Sequence, residues 1–149
     1  MATTFTLDKQ KHTINITYGF AIVKLREEYN LDIINLFEEN NLEQLVMKVT
    51  LNDDLCLRLI AHFSDNDVDP IKESKAYEAF LDKITPEVME EFRQALWVEL
   101  DRFFGPTKSS ILKAVRFELP KVLKKQMVKM LENLDTLEEP SSATLEKQE

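Results

Sequence analysis

The sequence predicts a mostly α protein with a small N-terminal β-hairpin (α+β), a compact helical bundle of about six to seven helices. Three observations lead there. Only two glycines and five prolines occur in 149 residues, which favours helices over turns and hairpins. Residues 3–7 and 13–18 alternate apolar and polar with period two, in Thr4-Phe5-Thr6-Leu7 and again around Ile14, Ile16 and Tyr18. Third, Thr85 to Gly105 reads as a helix with both ends marked. Thr85 is a natural N-cap and Pro86 at the first helical position sacrifices no intrahelical bond. Glu87, Glu90 and Glu91 put negative charge in the first turns, where the helix dipole favours it. Gly105 can take a left-handed C′ conformation and Pro106 stops continuation.

The hairpin is expected to join its strands through Asp8-Lys9-Gln10-Lys11. After Gly19 the period switches, with Tyr18, Ile22, Leu25 and Tyr29 at i, i+4, i+7 and i+11. Asn30-Leu31-Asp32 interrupts this helix, and Asp32 caps a short one through Glu39 that would bury Ile33, Leu36 and Phe37. Leu42, Leu45, Val46 and Val49 mark the next. Asn52 or Thr50 caps a helix with Leu55, Leu59 and Phe63 in a stripe. Asp69-Pro70 repeats the cap-then-proline pattern before a helix to about Lys83. Within Thr85–Gly105, Val88, Met89, Phe92, Ala95, Leu96, Leu100 and Phe103 share one apolar arc. Glu99 falls inside that arc, and Trp97 and Phe104 stand on its shoulder. After Pro106, Ile111, Leu112, Val115 and Leu119 form a stripe. Pro120 kinks or restarts the helix, and the last helix carries Leu123, Met127, Met130, Leu131 and Leu134. One domain is expected over 1–135, with the hairpin at 3–18 and helices at 19–134. The polar stretch 136–149 is expected to be a disordered tail.

Composition narrows the function. A hydrophobic fraction of 44% and a charged fraction of 31% suit a globular domain. No apolar run approaches the roughly 18 residues of a membrane span, and MATTFTLDK lacks the features of a signal peptide. Cys56 is the only cysteine, so no disulfide framework or cysteine zinc site forms. A net charge of −8 argues against nucleic acid as the main partner. Seven basic residues nevertheless crowd Pro106–Leu131 against one acid, Glu118. Such a segment fits an acidic face of this chain or a second copy, then an acidic surface on another protein, and phosphate last.

No catalytic constellation emerges. Asp65-Asn66-Asp67-Val68-Asp69 imitates the start of an EF-hand loop, but Pro70 stands where glycine is needed and Ala76 where the bidentate glutamate belongs. His12, His62 and Cys56 lack ligand-like spacing, and two isolated glycines make no phosphate-cradling loop. No cofactor and no metal site is expected. Glu99 is either paired with a lysine or arginine or, in a weaker reading, is a buried catalytic acid. Trp97 and Phe104 either touch a neighbouring helix or meet another chain.

The opening TFTLDKQKHTINITYGFAIVKLREEYNLDIINLF resembles the start of the tail assembly chaperones of long-tailed (siphovirus-type) bacteriophages. Tyr18-Gly19-Phe20, Leu25, Tyr29 and Asp32-Ile33 stand where that family has an aromatic-Gly-aromatic junction, an aliphatic-x-x-Leu-x-x-x-Tyr helix and a short Asp-Ile helix. The likeness covers about the first 65 residues, and the rest in general character. It implies a small non-enzymatic protein of the infected bacterial cytoplasm, absent from the mature virion. Such a protein coats the tape measure protein, keeps it soluble, recruits tail tube subunits and self-associates. Met89, Trp97, Phe104, Met127 and Met130 are the candidate partner-binding residues, the methionines for their adaptable packing. The alternative is a helical adaptor or regulatory protein that binds one folded partner.

Overall fold

The computed structural model describes residues 3–66 and 72–148, with side chains described as far as residue 134. Strands β1 (Thr3–Leu7) and β2 (Gln10–Ile14) pair antiparallel in the register Thr3↔Ile14 to Leu7↔Gln10. The connection is two residues, shorter than expected: Asp8 (φ 53°) and Lys9 (φ 67°) both take positive φ, the signature of a twisted hairpin turn. The second strand therefore starts and ends earlier than the alternation suggests. Phe5, Leu7 and Ile14 of the hairpin, and Ile16 just beyond it, are buried.

Thr17 caps α1 (Tyr18–Phe20), its Oγ1 accepting the Phe20 N–H at 3.1 Å. The chain continues as a π-helix, Ala21–Glu28. Wider winding changes which side chains face inward: Ala21 and Leu25 are buried, while Tyr18, expected on the core stripe, is exposed. Asn30 at φ 54° ends the segment, and the Leu31 N–H returns to the Leu25 carbonyl at 2.7 Å.

The short helix expected over residues 32–39 does not form. Asp32 Oδ1 accepts the N–H groups of Ile34 (3.0 Å) and Asn35 (3.1 Å), so the side chain closes a turn in place of starting a helix. Glu39 at φ 50° then redirects the chain. The turn still buries Ile33 and Leu36, but Phe37 is exposed. The helix total is five among the described residues, one or two below expectation.

Helices α2 (Asn41–Leu51) and α3 (Asp53–Phe63) follow, with Asn52 capping α3 through the Leu55 N–H at 3.0 Å. Cys56 is fully buried as a small core residue, and burial pushes its thiol pKa up. The expected Asp69-Pro70 start lies outside the described residues; α4 is Ser74–Leu81. α5 is Pro86–Gln148, and Thr85 Oγ1 accepts the Val88 N–H at 3.3 Å as its cap. The side chains of the expected tail, 136–149, lie outside the described residues.

Non-helical angles occur in α5 only at Gly105 (φ 80°, ψ 175°), so the expected restart at Pro120 is absent. An interior proline removes one hydrogen bond and crowds the carbonyl four residues back, but its own φ is compatible with a helix that continues through it. Gly105 has the positive φ expected of it, but its ψ lies outside the left-handed helical region, in a region open essentially to glycine alone. A Cβ there would meet nothing within 4 Å, so the constraint is purely one of backbone conformation. Gly105→Ala should therefore destabilise the fold by about 1–3 kcal/mol, measured as a lower urea midpoint. An unchanged midpoint would contradict the assignment of strain.

The chain divides into two compact units, Met1–Lys113 and Ala114–Glu149. In the first, the hairpin packs on the opening half of α5, with the Phe5 ring edge-on to Phe92 at 5.1 Å. Beyond Gly105, Ser109 donates to Asp101 Oδ1 at 2.7 Å and Leu112 is fully buried. The second unit, in its described side chains, is a stretch of helix.

Candidate partner-binding surface

Two carboxylates of α5 hold the N-terminal segment. Glu91 Oε1 accepts the Thr6 N–H at 2.6 Å, and Glu99 Oε2 accepts the Ile16 N–H at 2.6 Å. Glu99 is 2% exposed and also accepts from Arg102, at 2.6 Å to Nε and 2.7 Å to the terminal nitrogen. Arg102 in turn donates to the Ile16 carbonyl at 3.1 Å. The pair thus grips the Ile16 peptide from both sides. Burial pushes the Glu99 carboxyl up, but the Arg102 hydrogen bond, the Ile16 N–H and the Arg102 charge outweigh it and hold the pKa below the ordinary value. The partner is arginine as expected, although it comes from the next turn of the same helix. A carboxylate that accepts three hydrogen bonds, two of them from Arg102, clamps the Ile16 backbone to α5.

The five candidate residues divide between the units. Met89 is half-buried on a groove of about 540 Å³, with Leu57, Leu81 and Ile84 and the Arg93–Asp53 ion pair. Trp97 is half-buried. Phe104 is half-buried too, its ring 5.5 Å from Phe103, which lies 4.9 Å from the exposed Tyr18. Met127 and Met130 are different, at 63% and 64% exposed.

Those two methionines belong to a longer surface. Every buried apolar residue among the described side chains lies at or before Leu112. Leu131 and Leu134, which the sequence places on the same helix as Met127 and Met130, are exposed as well, as are Phe117, Val122 and Val128. The helix carries the apolar residues of a packing face, yet among the described residues these side chains remain exposed, while Val115, Leu119 and Leu123 are half-buried. Lysines are interleaved, and Lys121 Nζ sits 3.8 Å from the centre of the Phe117 ring. Phe117, Val122 and Val128 were not singled out by sequence reasoning. The available signal was the width of the apolar arc, too broad for a helix with one dry side.

Among the described residues no group of three or more His, Cys, Asp or Glu side chains is placed to hold a metal ion, and no helix is long and apolar enough to cross a membrane. No family model, curated protein or solved structure matches the chain.

Proposed function

We propose that this chain is a non-enzymatic binding protein that holds apolar helical segments of an elongated partner against the exposed face of its C-terminal helix. Its role in that reading is that of a phage tail assembly chaperone. It would keep the tape measure protein soluble in the infected bacterial cytoplasm, recruit tail tube subunits, self-associate, and be left out of the mature virion. The observation that carries the reading is the exposed row Phe117, Met127, Val128, Met130, Leu131 and Leu134, on a helix that among the described side chains buries no apolar residue after Leu112. Exposed apolar patches of this extent mark interaction surfaces, and helix-in-groove recognition reads apolar anchors at i, i+3, i+4 and i+7. Met127, Met130, Leu131 and Leu134 have that spacing. The resemblance of residues 4–37 to the opening of the chaperone family supplies the partner's identity.

Co-expression with a tape measure protein tests the reading. The chain should shift that protein from the pellet to the soluble fraction. The double variant Met127→Glu/Met130→Glu should fold normally, because both side chains are already in water, and lose the effect. Equal solubilisation by the variant would refute the assignment. The groove beside Met89 favours a second reading, an adaptor docking one folded partner, which predicts a 1:1 complex and a chain mass that does not vary with concentration.

A further inference from the structure

Leu123, Met127, Met130, Leu134 and Leu137 recur at alternating intervals of four and three, the spacing of a seam along which two helices pack. Met127, Met130 and Leu134 of that seam are exposed, and Leu123 is half-buried. The backbone stays helical through Gln148, beyond the end of the seam. Charge is divided along the same stretch. Residues 114–131 hold five basic side chains and one acidic one, whereas residues 132–149 hold six acidic and one basic. Two such helices running in the same direction would set basic half on basic half and acidic on acidic, which is unfavourable. Reversing one of them sets each half against its opposite.

One flank of the seam makes the match specific. Lys124, Leu131 and Glu138 stand seven residues apart, each directly after a seam position. Along one helix Lys124 and Glu138 are about 21 Å apart, at about 1.5 Å per residue, too far to meet. In an antiparallel pair centred near Leu131, each Lys124 comes opposite Glu138 of the other copy, twice over by the two-fold symmetry. A parallel pair would set this flank against that of Gln126 and Asn133, which carry no charge. We infer that two copies of this chain pair antiparallel through their C-terminal helices, and that the pairing covers the apolar face to which partner helices were assigned above. The second half of this inference, the masking, rests on that binding role. The dimer is then a resting form, and a partner helix binds by displacing the second copy.

Sedimentation equilibrium of the full chain tests the pairing. The mass should rise with concentration from one chain to two, and Met127→Glu/Met130→Glu, its fold checked by circular dichroism, should stay at one. Lys124→Glu and Glu138→Lys should each weaken the dimer about fivefold, the loss of two exposed ion pairs. The double variant Lys124→Glu/Glu138→Lys should restore it, a rescue that only the antiparallel arrangement allows. In excess, a synthetic helical peptide with a leucine stripe and an uncharged polar face should convert the dimer into a complex of one chain with one peptide. A single-chain mass at every concentration, or a dimer untouched by Met127→Glu/Met130→Glu, would overturn the pairing and leave the binding role to its own solubility assay. A mass beyond two chains would overturn the closed pair. A dimer that the double variant does not rescue would overturn the antiparallel arrangement. Peptide bound to an intact dimer would overturn the masking. A dimer that meets every charge expectation yet ignores the peptide would sink the masking and the binding role while the pairing stood.

Discussion

Glu99→Ala is expected to destabilise the fold by about 3 kcal/mol, seen as a lower urea midpoint with an unchanged slope. Glu99 is buried and accepts three hydrogen bonds, one from the Ile16 N–H and two from Arg102. Its removal leaves the Ile16 N–H without its acceptor, worth about 1–3 kcal/mol if the group stays dry. It also deprives Arg102 of its counter-ion, but that side chain is 51% exposed and can turn to water. The total therefore falls at the lower end of what breaking a buried ion pair costs. Glu99→Gln retains an acceptor for Ile16 but faces Arg102 with a neutral amide, so its cost should be intermediate.

The pH dependence follows from the lowered pKa of Glu99. A carboxylate with a folded pKa below its unfolded value contributes stability that is fully present above the unfolded pKa and is lost as pH falls through the folded one. The ordinary value is 4.5 and the folded value lies below it. The difference between the natural chain and Glu99→Ala should thus be full at neutral pH and shrink as the solution is acidified below that value. Asp32, held low by the Asn35 and Ile34 N–H groups against the upward push of burial, has the same sign. A difference between the two chains that stayed constant into strong acid would mean that charge on Glu99 contributes nothing.

What could be read from the chain in advance was what depends on nearest neighbours. The Thr85 cap, the Asn52 cap and the positive φ of Gly105 each follow from a single residue's chemistry beside its helix. The Asp32 turn shows the limit of that logic, because an aspartate that can cap a helix can equally close a turn. Here the backbone takes positive φ at Asn30 and Glu39, on either side of Asp32, and the aspartate closes a turn. The π-winding of Ala21–Glu28 shifted Tyr18 out of the core for a similar reason: a period of 3.6 was assumed where the backbone adopts another. At the site the difficulty was of another kind. Leu131 and Leu134 have the spacing of a core stripe, and spacing says that a face is apolar without saying what covers it. Glu99 was conspicuous in the sequence, yet only the fold supplied Ile16 and so a reason for it.

A chain ended at Glu118 should keep its folding free energy within about 1 kcal/mol and lose all binding to apolar helical partners. The stop leaves Leu112 with the turn that follows it, so the last buried apolar residue retains its helix. Everything removed from the described side chains is exposed or half-buried, and the urea slope, which scales with surface buried on folding, should hardly change. Binding depends on the other side of the same fact. An apolar surface left in water is costly unless a partner covers it, and Met127, Met130, Leu131 and Leu134 are removed together. Urea melts and the tape measure solubility assay on the same preparation separate the two effects. A loss of several kcal/mol would make the C-terminal helix part of the chain's own core. Retained solubilisation would move the binding face to the first unit, where the groove beside Met89 is the next surface to test.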